Sequence, residues 1–312
     1  MAYDIIGDIH GCAQTLRALL SELGYEKHGG TYRHPTRQVI FLGDFVDRGL
    51  YQREVIDIVR PMIESGSALS VLGNHEFNAI AYFTLHPVTN EPLRRHSEKN
   101  QRQHRAFLDA YRATPDDYAE VIAWFRTLPM WLDLGPLRVV HACWDPRWID
   151  RIQQEFGRSA LLNDEFLFTA TEEGTWQFDA AETLLKGKEI PLKAGFSFND
   201  KDGNPRHHIR IRWWDQEANT YQQLFMGPES ARTHIPDDEI EGNHLIDYGL
   251  HLPPCFLGHY WLEGLPEPLA PNIGCVDYSV GKPGGKVVAY RWDGETALSH
   301  EHFVAVDRVE AT

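Results

Sequence analysis

Three shortages narrow the class of this chain. It has only four cysteines in 312 residues, Cys12, Cys143, Cys255 and Cys275, dispersed and without a Cys-x-x-Cys pair. A disulfide-built scaffold is therefore not expected, and reduced thiols in a cytoplasmic setting are. Long apolar runs are missing too: Val39-Ile40-Phe41-Leu42 is typical, far short of the roughly 18 residues that a membrane span needs. Positive charge is scarce, with 30 Lys and Arg against 45 Asp and Glu, a formal net charge of −15. That balance argues against a nucleic-acid or membrane partner and leaves room only for local basic patches. The first ten residues hold Asp4 and Asp8 and no Lys or Arg, which argues against a secretory leader.

What remains is the make-up of a folded α/β domain, 42% hydrophobic and 12% aromatic. The one unusual count is histidine, at 16. Histidine is the commonest metal ligand and titrates nearest neutrality, so the positions of these residues decide what they mean.

The N-terminal half alternates short apolar runs with helical periodicity. Tyr3 to Ile6 reads as a buried strand, and Leu16, Leu19, Leu20 and Leu23 then mark one helical face closed by Gly24. Gln38 to Leu42 and Ala68 to Leu72 read as further strands. Between them Glu54 to Arg60 reads as a helix that Pro61 should kink or end. Strict alternation predicts crossover units and a largely parallel sheet covered on both faces. Residues 76–128 read as helical, Leu137 to His141 as a strand, and 145–249 as a stretch without sustained period. Within that stretch Arg206 to Trp214 alternates as a strand. Arg206, His208, Arg210 and Arg212 fall on one face of it, and Ile209, Ile211 and Trp213 on the other. Strands are expected again at Cys255 to Leu257, Ile273 to Val276, Lys286 to Trp292 and about Ala297 to Val306.

Five strands run directly into polar clusters: Gly7-Asp8-Ile9-His10-Gly11, Gly43-Asp44-Phe45-Val46-Asp47-Arg48-Gly49, Gly73-Asn74-His75-Glu76, Val140-His141 and Gly258-His259. In parallel α/β folds ligands bind beyond the carboxyl ends of strands, so Asp8, His10, Asp44, Asn74, His141 and His259 should converge. An isolated Asp-x-His is usually a turn and an isolated buried His usually a core residue. The ordered five-part set is a different matter. Carboxylate, amide and imidazole donors together suit manganese, iron, cobalt, nickel or zinc better than magnesium or calcium. Two ions sharing one carboxylate would clamp a phosphoryl group and acidify a bridging water, giving a hydroxide for in-line attack at phosphorus.

This ordered set resembles the calcineurin-like metallophosphoesterases, and within them the phosphoprotein phosphatase branch, which Gly43 to Gly49 and Gly73 to Glu76 match closely. The resemblance implies a metallophosphoesterase-type βαβαβ sandwich, two packed mixed sheets flanked by helices, with two divalent ions, manganese first. It would put Asp8 and His10 on the first metal, Asp44 as bridge, and Asn74, His141 and His259 on the second. Asp47 would orient His75, the general acid, and Arg48 would grip phosphate oxygens. The motifs cover about 4–145 and 255–292, so the chain is read as one domain, 1–312, with an inserted cap at about 145–250. Gly258-His259-Tyr260-Trp261 carries one histidine where many relatives have Gly-His-x-His, which leaves the first metal more water. With the opening Met1 to Ile6, that ending looks like the bacterial diadenosine tetraphosphate hydrolases and their protein-phosphatase cousins. That branch's second substrate arginine has Arg210 and Arg212 as candidates.

Other features receive plainer readings. The run from Arg94 to Arg105 is able to grip a polyphosphate or an acidic protein, but a solvated helix face is the expectation. The Arg206–Arg212 face suits phosphate binding or edge protection. Alternation turns Trp213 and Trp214 opposite ways, with at least one in the core and stacking on a nucleobase as the other option. Cys12 lacks a phosphate-cradling loop after it and reads as a helix-start residue. The twelve histidines outside the strand ends receive no role.

The expected function is a dimetal phosphoester or phosphoanhydride hydrolase favouring small phosphorylated or nucleotide substrates. A serine/threonine protein phosphatase acting on a phosphoprotein is the alternative, and a non-catalytic scaffold on the same fold is the alternative of another class.

Overall fold

The computed structural model describes residues 2–199, 205–227, 229–242 and 244–309. Two sheets face each other. The larger one grows from three parallel strands, β1 (Ala2–Ile6), β2 (Arg37–Phe41) and β3 (Ala68–Ser70), with Ile6 opposite Phe41 and Phe41 opposite Ser70. The smaller one pairs β4 (Trp131–Asp133) antiparallel to β5 (Arg138–Val140). It continues in parallel through β8 (Cys255–Leu257) and β9 (Ile273–Cys275). A hairpin in the intervening segment joins β6 (Glu189–Pro191) to β7 (His208–Arg210).

The C-terminal strands complete the larger sheet against its parallel run. β11 (Lys286–Trp292) lies antiparallel to β1, and β10 (Asp277–Tyr278) and β12 (Phe303–Asp307) both pair antiparallel with β11. The sheet is thus mixed, not largely parallel, and both of its faces are covered as expected, one of them by helices. The second sheet covers the other.

Side-chain alternation divides the core accordingly. Tyr3, Ile5, Ile40, Val139, Phe256, Val288 and Tyr290 point between the sheets. Ile6, Val39 and Phe41 join the helix-side cluster with Leu16, Leu19 and Leu20 of α1 (Ala13–Glu22) and Val55, Val59 and Met62 of α2 (Gln52–Glu64). Each such side chain contributes about 1.5–3 kcal/mol on burial, so the two clusters fix the sandwich. Gly24 closes α1 at a φ of 84°, as its position predicts.

Pro61 lies inside α2 and does not end it. It sits in the last turns, and the carbonyl that cannot accept from it, four residues back at Asp57, is on a residue exposed to solvent. The expected helical stretch is three helices, α3 (Asn74–Phe83), α4 (Glu98–Tyr111) and α5 (Pro115–Phe125), broken by a loop at 84–97. Segment 145–249 is more regular than its composition suggests, with α6 (Pro146–Glu155), α7 (Asp164–Thr169) and α8 (Trp176–Lys186).

The strand read at Arg206–Trp214 is split. Pro205–Arg206 pairs with Phe198–Asn199, His208–Arg210 pairs with β6, and the chain leaves the sheet by Arg212. Trp213 and Trp214 are both buried, edge to face at 5.9 Å between rings. The last expected strand begins later, after a short 3-10 turn at His300–His302.

Candidate metal centre

Strand ends carry the site because the chain must turn sharply there. Six residues around it, His10, Asp44, Asp47, Arg48, His259 and Trp261, have positive φ, against two such non-glycine residues elsewhere among those described, Asn90 and Ser279. That conformation costs about 1–3 kcal/mol at each residue and persists only where the surroundings impose it. They do so here by direct bonds. The Ile9 and His10 amides donate to the Asp44 carbonyl at 3.0 and 2.8 Å, and Gly11 donates to Phe45 at 2.8 Å, locking the first two loops together. Gly73 and Gly258 are forced by space: a Cβ on either would lie 2.3 Å from an Asp44 or Asp8 carboxylate oxygen.

The six expected metal-ligating side chains form one continuous string. His10 Nε2 lies 3.9 Å from Asp8 Oδ2 and 3.6 Å from Asp44 Oδ2. Asp44 Oδ1 lies 3.5 Å from His141 Nε2, which is 3.1 Å from Asn74 Oδ1, itself 2.8 Å from His259 Nδ1. The string closes where the His259 amide meets Asp8 Oδ1 at 3.4 Å. Two sets of donors within 4.8 Å of one another share Asp44: His10, Asp44 and His75, and Asp44, His141 and His259. Asp8 falls outside both sets and His75 falls inside the first.

The donors suit divalent ions on their own chemistry. Asp8 Oδ2 and His10 Nε2 are buried without a hydrogen-bond partner, a costly arrangement that a cation resolves. His10 Nδ1 donates to the Val46 carbonyl at 3.0 Å and His141 Nδ1 to the Leu42 carbonyl at 2.6 Å. Each bond fixes the tautomer that turns the Nε2 lone pair inward. Burial lowers the His10 pKa to about 3, keeping that ring neutral. Burial also opposes ionisation of Asp44, but His141, His75 and His10 outweigh it and hold the carboxyl well below its usual range. Asp8 goes the other way, raised by burial and then by the neighbouring carboxylates of Asp277 and Asp44.

The candidate catalytic residues sit alongside. His75 Nδ1 meets Asp47 Oδ2 at 2.6 Å, and its Nε2 lies 3.9 Å from Asp44. The Arg48 guanidinium lies over Trp261, 4.2 Å from the ring centroid. Of the two candidate arginines, only Arg210 comes here, its guanidinium 3.1 Å from His259 Nε2. Arg212 instead donates to the Gln223 carbonyl and pairs with Asp215 at 3.5 Å.

Four contributors escape the sequence reading. Glu76 is fully buried, and its carboxylate accepts from the Asp44, Phe45, Val46 and Gly73 amides at 2.7–3.3 Å, so it shapes the loop bearing Asp44. Gln52 does the same for the next turn, accepting from Asp47 N at 2.8 Å and donating to Gly49 O at 2.6 Å. Buried Asp277 accepts from the Trp261 and Ser279 amides at 2.7 and 3.0 Å. His104 of α4 meets the free oxygen of Asp47 at 2.9 Å. The Gly-Asn-His-Glu spelling was a signal for Glu76; Gln52 follows Gly49 by three residues, and Asp277 and His104 lie on separate segments with no shared spacing.

Outside this string a cavity of about 830 Å³ opens, lined by Asp47, Arg48, His75 and His259 on one side and by α4 on the other. Arg94, Arg102 and Arg105 are in its wall. The run expected to be a plain solvated face therefore borders the site.

The sequence pattern of the calcineurin-like phosphoesterase family matches residues 1–259, and the chain belongs to that family. Its relatives include a protein named bis(5'-nucleosyl)-tetraphosphatase PrpE (asymmetrical) from Oceanobacillus iheyensis, 34% identical over 125 residues that make up 37% of this chain and 50% of the relative. A protein of the same name from Geobacillus sp. is 32% identical over 171 residues, covering 53% and 66% of the two chains. The chain thus spans half of the first relative's length. Among solved structures, a cold-active protein tyrosine phosphatase shares the fold with a TM-score of 0.51 at 15% identity, over 93% of this chain and 73% of that one.

Proposed function

We propose that this chain hydrolyses phosphoester or phosphoanhydride bonds with two divalent ions, held by Asp8, His10 and Asp44 on one side and by Asp44, Asn74, His141 and His259 on the other. The observation that carries the reading is the place of Asp44, one carboxylate shared by two sets of imidazole donors. When bound, the ions supply Lewis-acid charge for the phosphoryl oxygens and acidify a water for attack at phosphorus.

The remaining steps belong to the protein's own groups. Arg48, held over the Trp261 ring, offers its fork of donors to phosphate oxygens. His75 faces the cavity and hands a proton to the leaving oxygen. Burial alone would lower its pKa, but the Asp44 charge and the Asp47 hydrogen bond outweigh it and raise it, favouring the protonated acid. Asp47 holds the ring in place through Nδ1. Arg210, at His259, is the second phosphate-binding arginine of this proposal.

Small phosphorylated compounds or nucleotides are the proposed substrates. The name of the bacterial relatives supports this, as does a cavity large enough for a nucleotide rather than a bare phosphate. Manganese is the ion proposed first, with iron, zinc, cobalt and nickel also fitting the nitrogen and oxygen donors. A cytoplasmic location belongs to the proposal, supported by four buried cysteines, none of them in a disulfide. So does the organisation of 1–312 as one domain with 145–250 as its cap, supported by Leu184, Ile209 and Trp213 sharing a buried cluster with Leu16 and Val59.

The test is turnover of p-nitrophenyl phosphate, mononucleotides, diadenosine tetraphosphate and phosphopeptides by manganese-loaded protein. Turnover of none of these by protein shown to contain metal would leave a non-catalytic scaffold.

A further inference from the structure

The cavity wall is strongly cationic in a chain whose net charge is −15. Arg48, Arg94, Arg102, Arg105 and Lys186 line it, and among the described residues the acids of the lining are Asp47 and Asp109. Both acids are occupied: Asp47 by His75 and His104, and Asp109 by Arg112. Lys186 is likewise paired, with Glu182. Among the described residues no carboxylate makes an ion pair with Arg94, Arg102 or Arg105.

Arg94 is the informative member. It is only partly exposed, and burial lowers its pKa despite attraction from Asp47 and Glu182. Its guanidinium is held by two neutral amides, Asn100 Oδ1 at 3.1 Å and Gln103 Oε1 at 2.9 Å. A partly buried cation positioned by neutral groups at a cavity wall is suited to receive an anion there. Arg102 and Arg105 are three residues apart on α4, hence neighbours on one helical face with Ala106 and Asp109, and that stripe is the one facing the cavity.

We infer that Arg94, Arg102 and Arg105 form an outer anion subsite of this cavity, which holds the phosphates of a nucleoside polyphosphate that are not under attack. The inference rests on the hydrolytic reading of the metal centre and specifies its substrate class. A phosphomonoester brings one phosphate, for which Arg48 and the centre suffice. Three further guanidiniums without a carboxylate partner suit a substrate with more phosphates, and a chain this acidic needs such a local reversal of field to admit one.

The test compares manganese-loaded wild-type protein with R102Q/R105Q, whose exposed positions spare the core. KM is measured for diadenosine tetraphosphate and for p-nitrophenyl phosphate, and inorganic tripolyphosphate binding is followed by calorimetry with manganese in excess. The rise in KM should be larger for the tetraphosphate than for p-nitrophenyl phosphate by about tenfold or more, with a matching loss of tripolyphosphate affinity, since guanidinium–phosphate bonds are charge-assisted. R102K/R105K should recover part of both.

Equal changes in the two KM values with unchanged tripolyphosphate binding would overturn the inference. It would also fall if the variant lost activity on an acidic phosphopeptide and not on the tetraphosphate. Wild-type protein that turns over neither substrate yet binds tripolyphosphate through Arg102 and Arg105 would retain the subsite and refute the hydrolytic reading instead.

Discussion

Asp47 holds two imidazoles at once, His75 Nδ1 at 2.6 Å from Oδ2 and His104 Nδ1 at 2.9 Å from Oδ1. Burial opposes ionisation of this carboxyl, but the hydrogen bonds from His104 and His75 outweigh it and keep it below its ordinary range. In the proposed mechanism His104 is therefore a positioning residue that acts on His75 through Asp47. Removing it in His104→Ala should lower kcat by about 10-fold to 100-fold, as loss of a partner behind a functional histidine commonly does. KM and metal content should hardly move. His104→Asn, which keeps a donor near the Nδ1 position, should restore most of the rate, and a variant equally slow with Asn and with Ala would reduce His104 to packing.

His75 has two available roles, because its ring is both aligned by Asp47 and close enough to His10 and Asp44 to be counted among the donors. As the general acid, its replacement in His75→Ala should slow turnover by about 10²–10⁴-fold. The deficit should shrink on substrates whose leaving group needs no proton, such as p-nitrophenyl phosphate. Elemental analysis separates the roles: a variant that retains its metal supports the acid, and one that emerges metal-free makes His75 a ligand.

Asp44→Asn preserves shape and removes the charge shared by both sets of donors. Hydrogen bonding through Oδ1 to the His75 amide at 2.9 Å should survive, so the fold should as well. Neither ion is then well neutralised, and metal content should fall together with activity on every substrate. Full metal occupancy in a folded Asp44→Asn protein would contradict the bridging position.

The legible part of the molecule is the part where local sequence sets local structure. Apolar runs ending in Gly-Asp or Gly-Asn gave away β1, β2 and β3 and the turns beyond them, since only such sequences pass from a buried strand into a strained polar turn. The antiparallel half of the larger sheet was not legible, because pairing of Ile6 with Ala289 is decided by packing across nearly the whole chain. The same holds for α4. Its sequence looks like an ordinary solvated helix, and only the docking of His104 under Asp47 turns Arg102 and Arg105 into a cavity wall. Segment 145–249 misled for another reason: its helices are short and capped by Asp145, Asn163 and Thr175 side chains, which stabilise helix starts without a long apolar stripe.

Glu76 carries the remaining prediction. It is the third residue of α3 and reaches back to the Gly73 amide, as in a capping box. Its two oxygens accept from three further amides of the loop that presents Asp44. Glu76→Gln converts one acceptor into a donor facing backbone N–H groups in a fully buried place. Two bonds to a charged acceptor are lost and two amides are left bare, a cost of about 3 kcal/mol or more. The protein should melt markedly earlier in the metal-free state, and its manganese affinity should weaken because Asp44 is no longer held in place. A Glu76→Gln protein with wild-type melting and wild-type metal affinity would show that the loop shapes itself, and that the positive φ at Asp44 needs no support from α3.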